Sequence, residues 1–248
     1  MAASSHPLTP RLHVLAAGAV QGLVKAVQAR FMAQTGAEID GRFGAVGAMK
    51  EALMSGVPCD VLIVTDAMLR ALQGNGAVDA ETSMAIGRVR TGVAVREGEA
   101  IPDVGSAEAL RAAFVAAPAI YLPDTVKSTA GAHVASVLER LGLRDAVAAK
   151  LAVFANGAAA MTALANRGAP GAIGCTQVTE ILYTPFLTLA GALPDPFGLA
   201  TVYSASVSTT ANDSGLAARF VALLCGAETA SLRRDGGFDP VDLVARAT

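Results

Sequence analysis

Apolar runs alternate with helix-spaced segments along almost the whole chain. LHVLAAG (12–18) is an apolar strand closed by a glycine turn. VQGLVKAVQARFMAQTG follows with Leu23, Val27 and Phe31 on one helical face and a stop at Gly36. EIDGRFG reads as a second strand, AVGAMKEALMSG as a helix ended by Gly56 and Pro58, and DVLIVT as a continuous apolar strand of the kind covered on both faces. AMLRALQGNG is a short helix and Gly87 to Gly98 a longer strand-rich piece. The pattern then restarts: helix SAEALRAAFVAA, strand AIYLPD, helix STAGAHVASVLERLGL, strand KLAVFANG, helix GAAAMTALANRG, and GAIGCTQVTEIL as a strand breaking into a helix near Thr176. A proline-rich turn, the strand ATVYSASVS and two closing helices complete the chain.

Such alternation specifies an α/β protein with mainly parallel sheets. Early strands end in glycine turns, late ones in polar turns, and the last helices need a sheet to rest on. The expected organisation is therefore two lobes, residues 1–87 plus 202–248 and residues 88–201, with hinge crossings near 87–93 and 201–206.

Composition agrees with a packed domain: 53% of the 248 residues are hydrophobic and 16% charged, enough length and apolar content for a sizeable core. The net charge of −2 comes without any basic stripe, which argues against nucleic acid as a partner. No apolar run reaches the length of a membrane span. The first ten residues are polar and carry two prolines, so no secretory leader is read there; the expected location is cytoplasmic, or periplasmic if a signal has been removed. The three cysteines, Cys59, Cys175 and Cys225, form neither a disulfide framework nor a metal-ligand spacing. Nucleophile-elbow, P-loop and zinc-protease motifs are absent, and GAVGAM lacks the dinucleotide spacing, so no cofactor and no metal is expected.

Two strand-to-helix turns are almost free of side chains: Gly18, Ala19 and Val20 in the first, Gly44, Val46 and Gly47 in the second. A helix start offers unpaired N–H groups and partial positive charge, and glycine lets a ligand approach the backbone. Both turns are candidate binding sites for a small anion; the same glycines also serve tight strand–helix packing. In the second half, Asp124 follows a strand, and Ser128 and Thr129 open a helix as ligand donors, N-caps, or both. His133 lies one turn further and can move a proton near neutral pH, although a packed or surface histidine fits the position too. Asn156 ends another strand beside Gly157. Thr176, Gln177 and Glu180 form the richest polar turn, with Gln177 and Glu180 on one helix face. A carboxylate facing a bound anion has its pKa raised, as a general base for carbon acids requires; a solvated face is the plainer place for Glu180. Tyr203 and Arg88 lie at the two expected hinges; Tyr203 can reach into the cleft with its hydroxyl, and Arg88 is the candidate partner of a ligand carboxylate, although an ordinary surface arginine fits the position equally well.

The order strand-AAGAV-helix, then GAVGAMKEALMSGVPCDVLIVT, RTGVAV, LERLG and VYSASV resembles the molybdate-binding-protein-like branch of the type II periplasmic-binding fold. The most specific part is Gly56, Pro58, Asp60, Val61 and Ile63. The resemblance implies two α/β lobes closing on a small ligand. Molybdate binders of this kind place a serine in each of the first two turns; the matching positions here are Ala19 and Val46 or Gly47, which leaves backbone donors only. The GAVG-type second turn resembles the aconitate-isomerase-like group built on the same fold. Three functions follow as expectations. One is an isomerase that moves a proton and a double bond in an unsaturated di- or tricarboxylate, with Glu180 or His133 as the proton carrier. The second is a small-anion binder serving a transporter or acting as a sensor, with a transporter partner only if the protein is secreted. The third is a molybdate binder using backbone donors.

Overall fold

A computed structural model describes residues 9–241. The chain runs β1 (Arg11–Ala17), a 3₁₀ turn (Gly18–Val20), α1 (Gln21–Thr35), β2 (Glu38–Gly44), α2 (Val46–Met54), β3 (Val61–Thr65), α3 (Asp66–Gly74) and β4 (Met84–Arg96). It continues through α4 (Ala107–Ala116), β5 (Ile120–Pro123), α5 (Thr129–Arg140), α6 (Arg144–Val147), β6 (Leu151–Phe154) and α7 (Gly157–Arg167). Then come β7 (Ile173–Gln177), α8 (Val178–Tyr183), β8 (Leu187–Ala192), β9 (Ala200–Val207), α9 (Ser214–Cys225) and α10 (Ala230–Asp235).

Local chemistry explains most boundaries. Thr65, Ser106, Ser128, Asn156 and Asp213 each accept a backbone N–H of the helix they precede. Helix α1 stops at Gly36, whose φ of +72° is the left-handed cap that glycine adopts without strain. By contrast, α1 and α2 start from Val20 and Ala45 with no side-chain cap at all.

The strands lie in the order β2-β1-β3-β9-β4-β7-β5-β6, with β8 also on β4. Outer pairs are parallel: β1 with β2 and β3, β5 with β6 and β7. Every antiparallel strand pair involves β4 or β9. Strand β4 crosses between two halves of the molecule. Up to Arg90 it pairs with β9; from Thr91 it pairs with β7, and from Gly92 with β8. The return runs beside it, since Leu193 donates to the Thr91 carbonyl and Thr91 to the Leu199 carbonyl. β8 and α6 are additions to the elements read from the sequence.

Separate cores fill the two halves. One packs β1, β3 and β9 against α1 and α9 around Phe31, Leu62 and Phe220. The other packs β5 and β7 against α4 and α5 around Phe114, Leu122 and Val137. β3 is buried along its whole length, as its unbroken apolar run requires. Among the described residues no single helix is long and apolar enough to cross a membrane.

Candidate functional site

The strand-to-helix turns of both halves meet near the crossing strands, and a carboxylate sits at their meeting point. β7 ends in Thr176 and Gln177, which are 0% and 2% exposed, and delivers the chain into α8. Glu180 is the third residue of that helix and is only 6% exposed. Its Oε2 accepts the Thr176 hydroxyl at 2.5 Å. The backbone N–H groups of Gln177 and Ala158 also stabilise its charged form. The Gln177 N–H is the one a residue at this helix position reaches back to in a capping box. Ala158 is the second residue of α7, so its N–H is one of the helix's unpaired donors.

Glycine makes this possible at two places. A Cβ on Gly18 would overlap Glu180 Oε1, and a Cβ on Gly157 would overlap Glu180 Oε2 and Thr176 Oγ1. The first bare turn and the start of α7 thus close on the carboxylate from opposite sides. Burial dominates its electrostatics: the carboxyl is pushed up from 4.5 to about 7, and the three donors hold it from rising further. Among the described residues no lysine or arginine forms an ion pair with it.

Tyr203, 2% exposed, completes the cluster. Burial raises its phenol pKa, the Glu180 charge raises it further, and the neighbouring Gln177 side chain lowers it. On the neighbouring strand β4, Thr91 stands directly opposite Gln177. The Thr91 hydroxyl and both amide atoms of Gln177 are buried without a partner meeting hydrogen-bond geometry. A buried, unpartnered polar group costs about 1–3 kcal/mol, so this wall is suited to a polar occupant.

The second bare turn takes part in closure. Gly47 N–H donates to the Lys127 carbonyl at 3.1 Å, and Lys127 Nζ donates to Glu51 at 2.9 Å. Asp124 orders that loop by accepting the N–H groups of Val126 and Lys127, which lower its pKa. Ser128 caps α5 by accepting from Gly131, Thr129 is the first residue of that helix, and Asn156 caps α7 by accepting from Ala159. Ala19 and Val20 are buried in the first core, Val46 is buried at the start of α2, and Gly44 faces Met49.

Two of the expected side chains are directed elsewhere. His133 Nε2 lies 2.7 Å from the Phe197 carbonyl and makes no hydrogen bond to the Glu180 cluster. Arg88 pairs with Val202, whereas its neighbour Gly87 pairs with Tyr203, so Arg88 projects from the opposite face. It lines a separate groove of about 550 Å³ with Arg90, Leu193 and Asp195. Sequence reasoning did not pick out Ala158, Thr91 or the second glycine seat: a Cβ on Gly22 would lie 2.7 Å from Tyr183 Cδ2. The spacing of Gly18 and Gly22, four apart and opposite Glu180 and Tyr183, three apart, was the available signal. Beside this contact a cavity of about 560 Å³ opens between α1, α7 and α8, lined by Gln21, Lys25, Ala158, Arg167 and Tyr183 among others.

Two sheet halves joined by crossing strands, with helix starts from both converging on one buried point, define the two-lobe type II periplasmic-binding fold. The chain belongs to the bacterial extracellular solute-binding protein family, whose model matches residues 12–239. Its fold is that of the periplasmic molybdate-binding protein of Azotobacter vinelandii, with a TM-score of 0.77, 17% identity, and coverage of 93% of this chain and 100% of that one. It is also similar to the sulfate-binding protein SubI of Mycobacterium tuberculosis, with a TM-score of 0.72, 16% identity, and coverage of 95% and 88%. In sequence it is 24% identical over 244 residues to an aconitate isomerase of Pseudomonas sp., covering 96% of this chain and 90% of that protein.

Proposed function

We propose that the protein is an isomerase that moves a proton, and with it a double bond, along a small unsaturated di- or tricarboxylate held between its lobes. The observation that carries this reading is the Glu180 carboxyl, buried among neutral donors and raised to about 7. A base whose pKa lies near the working pH combines a useful ionised fraction with real proton affinity. Glu180 takes a proton from an allylic carbon, and the electron pair left on carbon spreads into the neighbouring carboxylate. Backbone and hydroxyl donors stabilise that charge, and the carboxyl, whose proton exchanges with solvent, returns a proton to the far end of the allyl unit. Similarity to an aconitate isomerase supports the reaction class.

A second reading is a small-anion binding protein. The donor set around Glu180 (a hydroxyl and helix-start N–H groups) favours it, because such neutral donors suit an oxyanion without any chemistry. Proton NMR with cis- and trans-aconitate in D₂O separates the two. Deuterium entering the ligand, or one isomer turning into the other, is expected for the isomerase. Binding without exchange leaves the binder.

A further inference from the structure

The donors best placed to receive a ligand anion already hold an anion, and it belongs to the protein. Glu180 accepts the Thr176 hydroxyl and the Ala158 N–H at the start of α7, and a Cβ on Gly18 or Gly157 would overlap its oxygens. The wall next to it is under-satisfied: the Gln177 amide, 98% buried, has the Tyr203 phenol as its polar neighbour but meets no full hydrogen-bond geometry, and the Thr91 hydroxyl opposite has no partner. A second carboxylate cannot share the same three donors with Glu180. We propose that a ligand carboxylate exchanges places with the Glu180 carboxylate, taking over Thr176 and the α7 start and pushing Glu180 toward the ligand's carbon chain, so that ligand binding itself turns Glu180 into a stronger base.

This deepens the reading above and rests on the same site. Displaced, Glu180 keeps its desolvation but loses the contacts that stabilise its charge, so its proton affinity rises and part of the population takes up a proton from solvent. Other groups do not compensate. Tyr203 is buried and neutral, and Cys175 on β7 is pushed up to about 12 by burial. Arg30, Arg90 and Arg96 are paired with Glu228, Asp239 and Glu99. Lys25 lies over the Tyr183 ring and lines the outer cavity with Arg167, and Arg88 lines the hinge groove.

The test is calorimetry at pH 8 with tricarballylate, a saturated tricarboxylate with no double bond to move, in two buffers of different ionisation enthalpy, and with molybdate in parallel. The expected result is uptake of several tenths of a proton per tricarballylate bound, falling to zero in Glu180→Gln. Should that variant not fold, Thr176→Val serves; its uptake is smaller than wild type because about half or more of Glu180 is already protonated in the free variant at pH 8. Tricarballylate binding with no proton uptake overturns the exchange, as does absence of binding by both anions. Uptake with either anion but no deuterium exchange into the aconitates keeps the exchange and removes the isomerase.

Discussion

Thr176 and Glu180 are joined by a buried hydrogen bond, Oγ1 to Oε2 at 2.5 Å, and that bond limits how basic the carboxyl becomes. Burial raises the Glu180 pKa and the hydroxyl lowers it. Thr176→Val keeps the shape and removes the donor, so the carboxyl titrates higher still. A hydrogen bond to a charged group is worth about 1.5–3 kcal/mol, so the acidic limb of the rate profile is expected to move up by roughly one pH unit or more. The measurement is kcat/KM for aconitate isomerisation from pH 5 to 9. An unmoved limb means that the limb does not report Glu180.

The same carboxyl leaves a signature in stability that needs no ligand. Its folded pKa, about 7, lies above the value of 4.5 for a free side chain. Below 4.5 the group is protonated in both states and has no effect. Between 4.5 and 7 the unfolded chain releases its proton first, so folding loses stability as pH rises, and the loss is complete above 7. The full span is on the order of 3 kcal/mol. Glu180→Gln removes this dependence. The difference in unfolding free energy between the variant and wild type is expected to shift in the variant's favour from pH 4 to pH 8, measured by urea denaturation at each pH. A flat difference would place the carboxyl in water.

Much of this site was legible from strand-to-helix turns alone. AAGAV, GAVG, ANGA and CTQVTE each mark a helix start, and every such start of an α/β lobe points to the same end of its sheet. Which turns meet was not legible, because Gly18 and Gly157 approach Glu180 across the fold and not along the chain. Burial alone already raises the Glu180 pKa, a contribution that the polar look of the CTQVTE turn did not suggest. Arg88 looked promising as a hinge cation, but strand alternation puts Gly87, not Arg88, on the face of Tyr203. Strand β8 was not read because each of its residues is half-buried, leaving neither an alternating pattern nor a solid apolar run.

Glycine at 157 is a steric requirement of the site. A Cβ there would overlap both Glu180 and Thr176, so Gly157→Ala must either push the carboxyl out or shift the start of α7. Overpacking of this kind costs about 1–3 kcal/mol. The expected outcome is a lower melting temperature together with loss of nearly all exchange activity. Gly36→Ala serves as the control for a glycine far from the site: its φ is also costly for alanine, but a Cβ there meets nothing, so stability falls while activity persists.

His133 is the other residue able to move a proton, and its ring is tied to a backbone carbonyl. Its Nε2 lies 2.7 Å from the carbonyl of Phe197, a residue of the second core, and makes no hydrogen bond to the Glu180 cluster. An imidazole N–H that donates to a backbone carbonyl orders a loop, here the one that returns the chain toward β9. His133→Ala is therefore expected to cost about 1 kcal/mol of stability through the lost bond while leaving deuterium exchange into aconitate within a few-fold of wild type. Glu180→Gln in the same assay is expected to lose at least a hundredfold, the usual scale for a positioned proton-transfer group. If His133→Ala instead loses as much as Glu180→Gln, the proton is carried by a pair, and the lobes must close further than they do here to bring the two together.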